Sequence, residues 1–330
     1  MRALPGKRRA ALPAAITPQL ATLVAAPPAG DDWLHESKYD GYRILCRVAR
    51  GRVTLASRNG KDWTERFPAV ARAAAALPVA AALLDGEVAV VGADGRTSFG
   101  ALQNAAAGGG TLVYFVFDLL HRDGIDLTGV PLEARKQALR ALIGGGRTGT
   151  LRYSEHVVGG GEAAFRAACR ARLEGIVSKR RDAPYVGGRT RTWLKVKCAH
   201  GQELVVGGFT DPEGSRAGIG ALLLGVHDAD GRLRYAGKVG TGFMQAAALA
   251  LRERLDGLRA PASPFLERPP GATHAHWVRP LLVVEVGFTE WTSDGRLRHP
   301  TFRGLREDKP ATAIGRERAP PPPASSRRRR

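Results

Sequence analysis

The sequence predicts an α+β fold in two regions, with a strand-dominated C-terminal third. Three observations carry this. Short runs of β-forming residues recur between Gly, Asp and Asn, the pattern of strands closed by turns. Four Ala-rich stretches carry the helical spacing of apolar residues. The chain has 330 residues, 44% of them apolar and 25% charged. These are ordinary globular values, and the length fits two domains better than three.

The predicted strands include 42–48 (YRILCRV), 83–91 (LLDGEVAVV), 111–119 (TLVYFVFDL), 193–197 (WLKVK), 203–209 (ELVVGGF), 221–227 (ALLLGVH), 233–239 (LRYAGKV) and 281–288 (LLVVEVGF). The predicted helices cover 67–77, 131–143, 161–172 and 243–257. A lysine-rich strand ends at Cys198, and CAHGQ is a plausible hinge, so the boundary is placed at Cys198–Gln202. Residues 1–16 read as a loose basic arm, 17–198 as the first domain and 199–318 as the second. Residues 319–330 (APPPPASSRRRR) read as a disordered tail.

Fifty Lys plus Arg stand against thirty-one Asp plus Glu, a net charge of +19. A field of that sign captures polyanions, nucleic acid first; part of the excess also fits Arg-rich solvated faces. Cys46, Cys169 and Cys198 are odd in number, far apart and without a CxxC pair, so no disulfide framework is expected and a reducing cytoplasm is the simplest home. His274 and His276 have no Cys or acidic neighbour at zinc spacing and read as a polar loop. No apolar run reaches the ~18 residues of a membrane span. The apolar stretch of the basic start is short and broken by Pro13, unlike a signal peptide. Gly218-x-Gly220 opens no βαβ unit, and no GxxxxGK[ST] occurs, which removes the dinucleotide and P-loop nucleotide sites.

The chemistry centres on Glu36-Ser37-Lys38-Tyr39-Asp40-Gly41-Tyr42-Arg43. In an extended segment Glu36, Lys38 and Asp40 share one face. Lys-x-Asp-Gly by itself arises by chance in roughly one chain in ten to twenty of this length. It is followed in order by Ser57-Arg58-Asn59-Gly60, Asp85-Gly86-Glu87, Tyr114-Phe115-Val116-Phe117-Asp118, Glu174-Gly175-Ile176-Val177-Ser178-Lys179, Trp193-Leu194-Lys195-Val196-Lys197 and Arg306-Glu307-Asp308-Lys309. Lys195 and Lys197 point the same way from one strand and call for an anion between them.

This ordered series resembles that of the covalent nucleotidyltransferases, which include ATP-dependent DNA ligases, RNA ligases and mRNA capping enzymes. The likeness runs from about Pro18 to Pro310. The wording of 33–43, of Gly237-Lys238-Val239-Gly240-Thr241-Gly242-Phe243 and of Leu297-Arg298-His299-Pro300 is similar to the bacterial ligase D type of ATP-dependent DNA ligase. The resemblance implies an ATP-grasp-like adenylation (nucleotidyltransferase) domain followed by an OB-fold β-barrel. The chain would be a free-standing ligase core, without the polymerase and phosphoesterase modules often fused to that type.

It also implies the chemistry. Lys38 would attack the α-phosphate of ATP and carry AMP as a phosphoramidate, splitting one hard step into easier ones. AMP would then pass to the 5′-phosphate of a nicked or broken duplex, which a 3′-hydroxyl attacks. Attack needs a neutral amine, and Lys195, Lys197 and bound metal are the cations expected to favour it. Glu36, Arg43, Arg58, Glu87, Phe117, Lys195 and Lys197 would contact ATP or AMP, with Phe117 stacked on adenine. Arg306, Asp308 and Lys309 would orient the pyrophosphate. Glu87 and Glu174 would hold Mg²⁺, or Mn²⁺ in its place. Asp40 and Asp118 stay open between structural and metal-assisting roles. The expected setting is DNA repair and end joining by a monomer in the bacterial cytoplasm at the nucleoid, with a Ku-type end-binding partner and no membrane contact. The alternatives are an RNA ligase or GTP-using capping enzyme, and a non-enzymatic basic DNA-binding protein on the same fold.

Overall fold

The computed structural model describes residues 6–103, 110–144, 149–199, 201–212 and 218–317. The tail assigned to 319–330 lies outside these residues. The N-terminal region is built on two sheets. In the larger, the strands Arg8–Arg9, Ile125–Asp126, Thr111–Arg122, Ala81–Val91, Tyr42–Ala49 and Arg52–Ser57 lie side by side in that order, and Leu151–Tyr153 runs parallel to Thr111–Arg122. The smaller has the order His156–Val158, Trp33–Ser37, Gly175–Arg180, Gly188–Lys197 and Gln19–Leu23.

The larger sheet is covered on both faces, which explains why its strands read as near-continuous apolar runs. On one side Ile44, Cys46, Leu84, Val88, Tyr114 and Val116 pack with Val70, Ala74, Leu139 and Leu142 of the helices Pro68–Ala75 and Leu132–Ile143. On the other, Leu45, Leu83, Phe117 and Leu120 meet Tyr185 and Trp193 beside the smaller sheet. The helix Gly161–Arg170 closes the smaller sheet, with Ala168 against Ile176 and Val196.

The C-terminal region is mostly sheet. Its order is Leu233–Val239, Ala221–His227, Gly201–Thr210, Val283–Gly287 and Thr301–Arg306, with His276–Trp277 also paired to Gly201–Thr210. The helix Gln245–Asp256 buries Ala248, Leu251 and Leu255 in the same core. No helix among the described residues is long and apolar enough to cross a membrane.

Three expectations change. The described part of the arm is docked. Arg8 and Arg9 pair with Asp126 and Ile125, and Leu12 and Ile16 fill the core between the sheets; that apolar contact offsets the ordering cost a basic arm would otherwise not meet. Cys169 and Cys198 form a disulfide with Cα atoms 5.2 Å apart. Their 29-residue separation hid it, because the end of Gly161–Arg170 and the end of Gly188–Lys197 become neighbours only when the helix packs on the sheet. His276 sits in a strand rather than a polar loop, and its Nε2–H donates to the Asp211 carboxylate at 2.7 Å.

Candidate active site

Lys38 follows directly from the strand Trp33–Ser37, and its backbone N–H donates to Gly175 O at 2.9 Å. Two glycines permit this close fit. A side chain at Gly41 would strike Val88 O, and one at Gly175, which has φ +151°, would strike Val196 O. Lys38 is thereby set beside Glu174, and its Nζ is ion-paired to Glu174 Oε1. Burial alone would lower the Lys38 pKa, but Glu174 foremost, with Glu285 and Asp40, raises it above the ordinary lysine value. This departs from the expectation that Lys195 and Lys197 would discharge the amine. The touching carboxylate outweighs them, and both lysines are themselves paired to Glu317, Lys195 at 2.6 Å and Lys197 at 3.2 Å.

The surrounding cavity has a volume of about 690 Å³ and receives side chains from both regions, within the range of small-ligand sites. Every residue assigned to nucleotide, pyrophosphate or metal contact borders it: Glu36, Lys38, Arg43, Arg58, Glu87, Phe117, Glu174, Lys195, Lys197, Arg306, Asp308 and Lys309. The two regions are closed upon one another. The Arg306 guanidinium donates to Gly41 O at 3.2 Å and lies 4.4 Å from the Phe99 ring centroid. Arg66 reaches Glu307 at 2.7 Å.

Several side chains have partners that redefine their parts. Glu36 is buried; its carboxylate accepts from Lys136 at 2.6 Å, Lys179 at 2.9 Å and Ser154 at 3.1 Å. Burial would raise its pKa, yet the two lysines hold it below the usual value. Its carboxylate thus already has three protein donors, one of them Lys179, which also lines the cavity and whose own pKa burial pulls down to about 8. Arg43 grips Asp85 with two hydrogen bonds of 2.6 Å and lies 4.7 Å from the Phe117 centroid. Lys179 lies 4.1 Å from the same ring, so Phe117 borders the cavity as part of a cation–π stack. Asp118 is structural: it binds Arg135 through contacts of 2.7 and 2.8 Å with both side chains fully buried. Burial raises Glu87 to about 7 and, with Glu285 and Glu174, Asp40 to about 7.

The residues fit a divalent cation of the Mg²⁺ kind. Glu174 Oε2 is buried and has no hydrogen-bond partner among the described residues. Among the described residues no group of three or more His, Cys, Asp or Glu could hold an ion by protein ligands alone. One or two carboxylates completed by phosphate oxygens and water is the arrangement Mg²⁺ favours.

The profile described as "ATP dependent DNA ligase domain" matches residues 16–197, and that described as "ATP dependent DNA ligase C terminal region" matches residues 215–309. This chain belongs to the ATP-dependent DNA ligase family. It is 44% identical to the multifunctional non-homologous end joining protein LigD of Pseudomonas aeruginosa, over 93% of this chain and 37% of that protein. It is 38% identical to the multifunctional non-homologous end joining DNA repair protein LigD of Mycobacterium tuberculosis, over 92% of this chain and 40% of that one. The chain therefore spans about two fifths of the length of these relatives. A solved structure of mycobacterial DNA ligase D complexed with ATP and MES superposes with a TM-score of 0.70 at 36% identity, covering 91% of this chain and 98% of that one.

Beyond the family motifs the closed ligase fold brings in residues that sequence reasoning passed over. Lys179 ends a recognised motif, but its burial depends on Glu36. Glu203 and Glu285 lie on strands that were predicted, facing the cavity; an acidic residue in an otherwise apolar run was the available signal. Glu317 offered none.

Proposed function

We propose that the chain is an ATP-dependent DNA ligase that seals 5′-phosphate/3′-hydroxyl breaks through a Lys38–AMP intermediate and a DNA-adenylate. The observation that carries this is Lys38 paired with Glu174 in a cavity that Arg306 and Lys309 of the C-terminal region also line. In this reading Lys38 would serve as nucleophile, and a separate cationic group, Arg306 with Lys309, would meet the outgoing phosphates. Lys38 Nζ bonds to the α-phosphorus, its proton is lost, and pyrophosphate departs with the electrons of the broken P–O bond. The AMP phosphorus then passes to a 5′-phosphate oxygen, freeing the amine. The 3′-hydroxyl finally attacks the activated 5′-phosphorus, its proton is lost and AMP leaves.

Glu174 and Glu87 would hold Mg²⁺ (or Mn²⁺), which when bound supplies positive charge to the phosphate oxygens. Released from its bond to Glu174, Lys38 loses the largest of the influences that favour its charged form. Arg58 would meet the sugar or phosphates, and Phe117 the adenine. Asp308 braces Arg306 from 2.9 Å, so it would orient the pyrophosphate through that guanidinium. Such catalysis is mainly positioning and charge neutralisation. The C-terminal region would be an OB-fold that clamps duplex DNA after opening, aided by the net charge.

The LigD relatives' names support end joining; we further propose that it proceeds in the bacterial cytoplasm at the nucleoid, by a monomer working with a Ku-type protein. The test is incubation with α-labelled ATP or GTP and Mg²⁺, mapping of the labelled residue, then a chase with nicked DNA or nicked RNA. Label from ATP on Lys38 and sealing of DNA are expected. Label from GTP alone, sealing of RNA only, or equal sealing by Lys38→Ala would overturn the reading.

A further inference from the structure

Lys195 and Lys197 project together from the strand Gly188–Lys197 into the cavity. Two ammonium groups on one strand face repel unless an anion lies between them. That anion is Glu317, which comes from the far end of the described chain. Its carboxylate takes a hydrogen bond from Lys195 at 2.6 Å and another from Lys197 at 3.2 Å. The three side chains are 24%, 16% and 13% exposed, so their attraction is less screened than that of a surface pair. The lysines hold the Glu317 carboxyl down to about 2 against the opposing effect of burial.

The carboxylate and its lysines belong to different regions. The segment carrying Glu317 is fastened to the C-terminal sheet. The amide of Gln202 donates to Gly315 O at 2.9 Å and accepts from the Glu317 backbone N–H at 3.0 Å. His227 N–H donates to Ile314 O at 2.8 Å. The lysines stand on the N-terminal region. The segment Pro310–Glu317 therefore runs as a strap along the cavity, directly after Arg306–Lys309, and sets one carboxylate on the two cations.

We propose that Glu317 is a polyphosphate competitor built into the closed ligase. It takes the place between Lys195 and Lys197 that phosphate oxygens of ATP would fill, so ATP enters by displacing it. It returns once pyrophosphate has left, which opposes the reverse reaction. The competition follows from charge, since the lysine pair serves either the carboxylate or a phosphate. A ligand that must displace a competing group binds more weakly by the fraction of molecules in which the site is free. This inference rests on the proposed function only for the identity of the polyphosphate. The cation pair and its occupant stand without it.

The probes are inorganic tripolyphosphate and ATP, with the full chain and the E317Q and E317A variants. Calorimetric titration with tripolyphosphate should show about three- to tenfold tighter binding to either variant. A double variant, Lys195→Ala with Lys197→Ala, should abolish the difference. Lysine adenylation by E317Q should show KM for ATP lowered about three- to tenfold with kcat changed less than about twofold, the signature of altered ground-state binding. Pyrophosphate should strip AMP from adenylated E317Q at correspondingly lower concentration. A merely structural role for Glu317 would lower kcat and Tm without tightening tripolyphosphate. Unchanged or weaker tripolyphosphate binding in folded E317Q, or in E317A should E317Q not fold, overturns the proposal. Tighter tripolyphosphate binding with no adenylation of Lys38 in any protein would instead overturn the ligase reading and leave this one standing.

Discussion

Glu203 and Glu285 are direct cross-strand partners in the C-terminal sheet, and each holds one cation of the Arg306–Lys309 segment. Glu285 binds Arg306 at 3.1 Å, and Glu203 binds Lys309. Like charges directly opposite one another destabilise a sheet, so the two carboxylates require the two cations. Burial would raise the Glu203 pKa, yet Lys309 and Arg306 hold it well below the usual value. The pairing aims both cations into the cavity. E285Q should therefore slow lysine adenylation about tenfold, the loss of one charged hydrogen bond. Sealing of a pre-adenylated nick, which releases no pyrophosphate, should change less than about twofold. Equal slowing of both steps in single-turnover assays would show that Glu285 serves the fold and not the orientation of Arg306.

The Lys38–Glu174 contact sets a pH dependence. The carboxylate favours the ammonium form of Lys38, and attack needs the amine. Removing it in E174Q moves the lysine pKa down, so the rise of adenylation rate with pH should begin at lower pH than in the unsubstituted ligase. The maximal rate should nevertheless fall, because the buried oxygen suited to Mg²⁺ is lost. Rate–pH profiles at saturating ATP measure both effects. A profile displaced to higher pH would contradict the pairing.

Asp40 gives a prediction about stability. Its folded pKa of about 7 lies above the ordinary value of 3.8. The unfolded chain thus releases this proton first. The stability Asp40 contributes is complete below about pH 4 and is lost as pH rises through about 7. D40N cannot ionise, although it weakens the hydrogen bond accepted from Phe99 N–H at 3.0 Å. Between pH 5 and 8 the unfolding free energy of D40N should fall less than that of the unsubstituted chain, by about 2 kcal/mol in total, and its Tm should fall less accordingly. Parallel curves across this window would remove Asp40 from the account.

The strands and helices were legible where the local pattern and the tertiary environment agree. The expected strands at 221–227 and 233–239 coincide with Ala221–His227 and Leu233–Val239, and the expected helix at 131–143 with Leu132–Ile143. The same helix shows where legibility ends. Its buried face includes Arg135 and Lys136, which periodicity assigns to solvent. They are inside because Asp118 and Glu36, distant in sequence, meet them there. The motif residues were readable as a set because their order is a linear property. The partnership of Lys38 with Glu174, and of Lys195 and Lys197 with Glu317, is a property of the closed fold. It reversed the expected source of electrostatic influence on Lys38.

The Arg135–Asp118 pair should be felt in stability rather than chemistry. Both side chains are fully buried, and removing one partner of such a pair leaves an uncompensated charge, costing about 3–5 kcal/mol. D118N should lower the urea midpoint accordingly at unchanged m-value, while the folded fraction adenylates Lys38 normally. A loss under about 1 kcal/mol would mean that water reaches the arginine.

The disulfide yields the last prediction. Cys169 and Cys198 enclose the segment that carries Glu174, and Cys198 N–H donates to Glu174 O at 2.9 Å. Closing a loop of this length restricts the unfolded chain by about 3–4 kcal/mol. A reductant such as dithiothreitol should therefore lower Tm by several degrees, and C169S should lower it similarly and abolish the response to reductant. The third thiol, Cys46, is buried and its pKa is pushed up to about 12 by that burial, so it should neither exchange with the bond nor react with iodoacetamide in the folded state. The consequence for Glu174 is separable from global stability. In the reduced protein, well below its Tm, the Glu174 loop is held by its backbone hydrogen bond without the covalent tie, and the KM for Mg²⁺ in adenylation should rise about two- to fivefold while the KM for ATP at saturating metal stays within about twofold. An identical Tm with and without reductant, after mass analysis has confirmed that the oxidised protein is two hydrogen atoms lighter, would show that the bond constrains nothing the folded chain does not already hold.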